Sequence, residues 1–238
     1  MAEGGFQVGE LAKLYFPEGV EVDSLDIELA SKTTKTLLEN DNVTIFEAAI
    51  LYENCFIRVD ILQKTGDQIN LYEVKAKSFN SLQQPSFLKK NGEPKAAWKD
   101  YLYDAAFQKW VCLKAFPHWN VTAHLMLADK AQKTNTSGLN QLFKIVENNG
   151  RKRVEVNEPS SPSALSSKLL TAVNLNDVCE KIYLSTDHGL GREETFDQLV
   201  QRLSSACEDK DFISPTIGPK CAICEFNATL EEKEAGKL

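Results

Sequence analysis

Apolar positions along the chain change period several times, and each change marks an element. From Phe6 to Phe16 the residues Phe6, Leu11, Leu14 and Tyr15 recur at helical spacing until Pro17 stops the run. A second helix is predicted around Ser31 to Glu39, with Ser31 as its cap, and both read as surface helices. The period then shortens. Val43 to Leu51, Phe56 to Leu62 and Ile69 to Val74 are rich in Ile, Val, Phe and Tyr, with turn-like Glu53-Asn54 and Thr65-Gly66-Asp67 between them. They predict an antiparallel meander of three strands. A lysine-rich loop over Pro85 to Pro94 leads to a helix from Trp98 to Phe116, whose face carries Leu102, Ala105, Ala106, Trp110 and Leu113. Val121 to Leu127 is the next strand, and strand, helix, strand is the connection that builds an α/β sheet. Further on, Asp129 to Ser137 and Pro159 to Ser167 read as loops, Leu139 to Val156 as helix or strand, and Glu193 to Ala206 as helix. A loop with Pro215, Gly218 and Pro219 then precedes Cys221-Ala222-Ile223-Cys224 and a charged tail. The expected organisation is a core over residues 1–158 and a C-terminal extension over 159–238.

Register turns this pattern into chemistry, because directly opposed residues of an antiparallel pair share a face. If the second loop closes so that Lys64 faces Ile69, counting back places Asp60 opposite Glu73. If Glu53-Asn54 form the first turn, Tyr52 faces Cys55 and Glu47 falls opposite Asp60. Glu47, Asp60 and Glu73 then form a row across three strands, and Lys75 shares their face. Opposed like charges are destabilising. A hard cation such as magnesium or manganese, which takes oxygen ligands, resolves that conflict, and a lysine beside it can position water and offset phosphate charge. The competing reading is a solvated hairpin face. An Asp followed by Glu-x-Lys arises by chance about once in every one or two proteins, so placement inside apolar strands carries the weight, not the bare pattern.

Composition narrows the setting. With 238 residues, 42% of them hydrophobic, the chain can bury one sizeable core. No apolar run is long enough for a membrane span and the start lacks a signal peptide's basic and apolar regions, so a soluble, cytoplasmic protein is expected. Six cysteines are too sparse for a disulfide scaffold, and Cys55, Cys112, Cys179 and Cys207 read as buried free thiols. The net charge of −7 weighs against indiscriminate attraction to nucleic acid. Yet Lys75, Lys77, Lys89, Lys90, Lys95 and Lys99 cluster within 25 residues, enough for a locally basic groove. Trp98, Tyr101 and Tyr103 beside them read as core at the start of a buried helix or as a stacking surface for bases. His118, His124 and His188 have no metal spacing and read as structural.

Three segments together, Ile57-Arg58-Val59-Asp60-Ile61-Leu62, Leu71-Tyr72-Glu73-Val74-Lys75-Ala76-Lys77-Ser78 and Asp104-Ala105-Ala106-Phe107-Gln108, resemble the RecB-like branch of the PD-(D/E)XK nuclease superfamily. That branch includes the CRISPR-associated adaptation exonucleases and lambda exonuclease. The chain is most similar to a bacterial group sharing the phrases at Gly9 to Ala12, Phe46 to Ala49 and Glu73 to Lys75. The resemblance covers roughly residues 6 to 145. It implies a restriction-endonuclease-like α/β core with a mixed central sheet flanked by helices. It also implies magnesium- or manganese-dependent cleavage of DNA ends or single strands. By it, Asp60 and Glu73 are metal ligands, Glu47 is the upstream acidic ligand, Lys75 is the catalytic lysine, and Gln108 matches the glutamine of a helical Q-x-x-x-Y motif. The tyrosine of that motif is replaced by Cys112. Relatives often hold an iron-sulfur cluster through one cysteine before the core and three after it. Cys221 and Cys224 resemble part of the later group, but the full set is absent. The chain then reads as a fragment of a longer protein, the pair as a vestige, or the pair as half of a zinc site completed by another chain.

Two rivals stand beside the nuclease reading. One is a nucleic-acid-binding module that keeps the groove without the chemistry; the other is an interaction domain of a larger repair or defence protein, with a protein partner.

Overall fold

The computed structural model describes residues 3–83, 87–134, 136, 138–148, 151–157, 168–214, 218, 221 and 228–235. The predicted meander is present as β2 (Asn42–Tyr52), β3 (Cys55–Thr65) and β4 (Gln68–Phe79). Its register is the one counted from the sequence: Tyr52 pairs with Cys55 and Lys64 with Ile69. The first hairpin closes in two residues, with Glu53 in the left-handed region at φ 49°, and the second closes through Gly66 at φ 55°, a conformation glycine adopts without strain. The predicted crossover follows: α3 (Ala96–Ala115) carries the chain to β5 (Asn120–Asp129), which lies parallel to β4.

The chain divides into two compact units, Met1–Leu184 and Ser185–Leu238. In the first, a mixed six-stranded sheet runs β1-β2-β3-β4-β5-β8, where β1 is Val20–Glu21 and β8 is Leu170–Asn174. β1 is parallel to β2, and β8 is antiparallel to β5. The unit passes the expected boundary at residue 158 because β8 completes the sheet and α4 (Asn176–Leu184) packs behind it on α3 and β5. Leu139 to Val156, left open between helix and strand, is a 3-10 turn at Leu139–Leu142 followed by the hairpin β6 (Phe143–Asn148) and β7 (Arg151–Val156).

Helices cover the sheet. α1 (Glu3–Lys13) buries Leu11 and Ala12 in a cluster with Phe46, Ile61, Met126, Phe143 and Leu170, so it is a core helix and not a surface one. α2 begins earlier than predicted, at Ile27–Leu37, because Asp26 caps it by accepting from the Leu29 N–H at 2.7 Å. Ser31, the expected cap, is buried inside that helix. α3 buries Leu102, Ala105, Ala106, Trp110 and Val111 against β2, β3 and β5.

In the second unit α5 (Phe196–Asp209) starts three residues later than predicted, set by a capping box between Thr195 and Gln198. Its buried stripe is Phe196, Leu199 and Val200, which leaves Cys207 exposed and not buried as expected. The short α6 spans Leu230–Glu234. The predicted loop at Pro159 to Ser167 lies outside the described residues, as do Pro215, Pro219 and Cys224. Among the described residues no helix is long and apolar enough to cross a membrane.

One glycine is under a specific steric demand. A Cβ at Gly19 would come within 2.1 Å of the buried Phe46 ring, which itself neighbours Glu47. Gly19→Ala is expected to lose about 1–3 kcal/mol of unfolding free energy in urea titration, the usual range for overpacking. Unchanged stability would show that the loop before β1 yields freely.

Candidate functional site

The ladders around Asp60 are interrupted on both sides. Between β2 and β3 the pairs run from Phe46–Ile61 to Ala48–Val59, skipping Glu47 and Asp60. Between β3 and β4 the last pair is Ile61–Tyr72, although both strands continue past it. Beyond that fork the Asp60 carboxylate accepts the Val74 N–H at 2.7 Å, in place of a backbone carbonyl. Glu47, at φ 55°, takes a left-handed conformation that is uncommon for a non-glycine residue and breaks the alternation of β2 at this point.

The fork opens a cleft of about 790 Å³. Glu47 and Asp60 form part of its floor with Val74, Lys75 and Lys77, while Gly5, Gly9, Glu10 and Lys13 of α1 line one side and Tyr101 of α3 another. The glycines of α1 place no side chain into this space. Lys13 is held by Glu10 and Glu21, each at 2.9 Å.

Behind the floor lies a polar network. Glu73 is only 6% exposed. One of its oxygens is in contact with the Lys75 ammonium, and the other accepts from Gln108 Nε2 at 2.6 Å. Gln108 also donates to Asp104 Oδ1 at 3.1 Å, and Lys75 Nζ lies 3.4 Å from Asp104 Oδ2. Four side chains thus interlock: Glu73 and Lys75 from β4, Asp104 and Gln108 from α3. Asp104 was not predicted as a site residue. Its signal was the four-residue spacing to Gln108, which puts both on one face of a helix.

Electrostatics here are crowded with negative charge. Burial raises the Glu73 carboxyl to about 8, and Asp60 and Asp104 push it the same way against the opposing pull of Lys75. Asp60 is raised mainly by burial, which outweighs the Val74 N–H and Lys75. Glu47 is raised by burial and then by Asp60. Burial disfavours the Lys75 charge, but Glu73, Asp104 and Asp60 outweigh it and lift its pKa. Lys75, with Lys13 acting on Asp60 and Glu47 and Arg58 on Glu47, therefore faces more carboxylates than it can neutralise. A bound cation would relieve that repulsion.

The donor chemistry fits magnesium or manganese: hard carboxylate oxygens, two of which suffice for an ion that keeps waters and takes substrate phosphate as further ligand. Among the described residues, however, no three His, Cys, Asp or Glu side chains converge into a metal-binding group. Such an ion would fall to Asp60 on the cleft floor and to Glu73 behind it, whose two oxygens are already in contact with Lys75 and Gln108, with Glu47 beside Asp60 in the lining.

Other sequence candidates lie elsewhere. Cys112, in place of the motif's tyrosine, is wholly buried, and its thiol is raised to about 12 by burial. Cys221 Sγ accepts the Gly218 N–H at 3.3 Å, while Cys224, its expected companion in a cluster or zinc site, lies outside the described residues. None of the histidines lines the cleft; His124 stacks on Tyr72 at 4.8 Å and His188 is buried against Phe196. Trp98, Tyr101 and Tyr103 are half-buried, with lysine ammoniums over their faces, and so are not core. Compared with family models, curated proteins and solved structures, the chain matches none.

Two predictions follow from the network. Between the ordinary carboxyl value of 4.5 and about 8, folded Glu73 keeps a proton that the unfolded chain releases, so this group makes stability fall as pH rises through that window. Glu73→Gln should therefore unfold a few degrees above the parent at pH 8, with the gap closing toward pH 5 in thermal melts. A gap independent of pH would contradict the assignment. Asp104→Asn removes one charge from the network but keeps an acceptor for Gln108; the Lys75 pKa, read by NMR titration of its side chain, should fall, and an unmoved value would show that Asp104 does not hold it.

Proposed function

We propose that the cleft hydrolyses phosphodiester bonds in DNA with one or two magnesium or manganese ions, acting on ends or single strands in the cytoplasm. The observation that carries this reading is half-buried Asp60 and buried Glu73 on neighbouring strands at a forked sheet end, with Lys75 in contact with Glu73 and opening onto the cleft. A purely structural protein gains nothing from burying repelling carboxylates at a break in its own ladder. The mixed sheet with its antiparallel meander, crossover helix and parallel fifth strand is consistent with a restriction-endonuclease-like core, and the Asp60, Glu73, Lys75 and Gln108 set resembles the RecB-like branch of PD-(D/E)XK nucleases.

In this reading Asp60 and Glu73 hold the ion and Glu47 assists. The ion supplies Lewis acidity toward the phosphate oxygens and the attacking water. Lys75 orients that water and offsets the charge that grows on the phosphate in the transition state. Gln108 fixes the Glu73 carboxylate, and Asp104 steadies Lys75 from α3.

Labelled single-stranded and duplex DNA, incubated with the chain in manganese or in EDTA, tests the proposal. Asp60→Asn is the preferred control because its carbonyl can still accept the Val74 N–H, whereas an alanine would orphan it at a cost of about 1–3 kcal/mol. Cleavage is expected in manganese only, with loss in Asp60→Asn and a fall of about 100-fold or more in Lys75→Ala. Cleavage that survives EDTA or Asp60→Asn, or none under any condition, would overturn it.

A further inference from the structure

Three lysines line the cleft, and they are not held alike. Lys13 is paired with Glu10 and Glu21, and Lys75 with Glu73 and Asp104. Lys77, two residues beyond Lys75 in the stretch where the register of β4 on β5 shifts, also lines the cleft and has no carboxylate in salt-bridge range among the described residues. Its ammonium donates to the Ala97 carbonyl at 2.6 Å and sits 4.6 Å from the centre of the Trp98 ring and 5.1 Å from that of Tyr101. Aromatic faces and a carbonyl hold a cation in place but leave its charge uncompensated. The first turn of α3, to which Ala97 and Trp98 belong, carries no acidic residue that could do so. In a chain of net charge −7, with acids in excess, such a lysine is conspicuous.

Position makes the charge useful. Lys75 lies 5.9 Å from the same Tyr101 ring that Lys77 approaches from 5.1 Å, so both ammoniums flank one aromatic side chain on the cleft wall. A strand whose scissile phosphate lies at Lys75 would present its neighbouring phosphate within reach of Lys77. Holding the long side chain in an aromatic cage removes, before binding, part of the rotamer entropy that a free lysine loses on contact.

We infer that Lys77, caged by Trp98 and Tyr101, is the binding subsite for the backbone phosphate next to the one cleaved. This rests on the nuclease reading of the cleft but concerns a residue outside its catalytic set. The bland alternative is that Lys77 merely tacks the start of α3 to β4 through its stem. Lys77→Met keeps that stem and removes the charge; Lys77→Arg keeps the charge.

The test is equilibrium binding of a fluorescent single-stranded oligonucleotide by the full chain, by anisotropy in EDTA so that nothing is cleaved, across a series of salt concentrations. One lost phosphate contact lowers the slope of log affinity against log salt by about 0.7 for a single strand. Lys77→Met is expected to show that reduction, with affinity several-fold weaker at low salt and an unaltered melting temperature, while Lys77→Arg stays close to the parent. A Lys77→Met slope equal to the parent's overturns this inference and leaves the nuclease reading standing. A mononucleotide that competes as well as the oligonucleotide also overturns it, since the site would then serve free phosphate esters. Failure of the parent chain to bind any oligonucleotide in EDTA overturns the subsite, and failure in manganese as well, with a short incubation on ice, overturns the nuclease reading with it.

Discussion

Everything at the cleft depends on one substitution of partners: the Val74 N–H is taken by the Asp60 carboxylate and not by a backbone carbonyl of β3. A buried backbone donor must be satisfied, and an antiparallel ladder would ordinarily satisfy it. Here the β3–β4 ladder ends at Ile61–Tyr72 while β4 keeps its pairing with β5 through Glu73, Val74 and Lys75. β4 is thus anchored on one side and released on the other. The released side is where the cleft opens, and the carboxylate that seals the fork also lines it.

That arrangement sets the electrostatics. Asp60 cannot be moved into solvent without orphaning Val74, and Glu73 is clasped by Lys75 and Gln108, so both acids are held in place, Glu73 buried and Asp60 half-buried at the cleft. Burial raises both carboxyls, Asp60 and Asp104 push Glu73 further up and Asp104 does the same to Asp60, and the sign of these shifts says that the fully ionised cluster is the costly state in the absence of a further cation. A solvated hairpin face, the competing interpretation of the same residues, would have left them exposed and unshifted. The positive charges are held differently: Lys13 and Lys75 are paired with neighbouring acids, while Lys77 is steadied by aromatic faces and the Ala97 carbonyl.

Much of this was legible because strand alternation and two-residue turns fix register arithmetically: Tyr52 opposite Cys55 and Lys64 opposite Ile69 bring Glu47, Asp60 and Glu73 to the same level of three neighbouring strands, although neither the Glu47–Asp60 nor the Asp60–Glu73 pair is made. The fork was not legible, since nothing in local composition states that a ladder stops at Ile61. β1, two residues long, and β8, five residues at the sheet edge, were missed because such short strands acquire their structure from the neighbour they pair with. The Asp26 cap was overlooked in favour of Ser31, although both are capping residues, because the apolar periodicity of α2 is weak at its exposed start. Asp104 and the Lys77 cage are tertiary: the four-residue spacing of Asp104 and Gln108 hints at a shared face, but that this face meets Glu73 and Lys75 follows only from the packing of α3 on the sheet.

Calorimetric titration of manganese into the full chain near pH 7, alongside Asp60→Asn, addresses the central claim most directly, because it asks whether the crowded carboxylates form a cation site at all. The account predicts saturable binding of one or two ions by the parent and its loss in the variant. No binding by a folded parent chain, or binding that Asp60→Asn leaves intact, would contradict it.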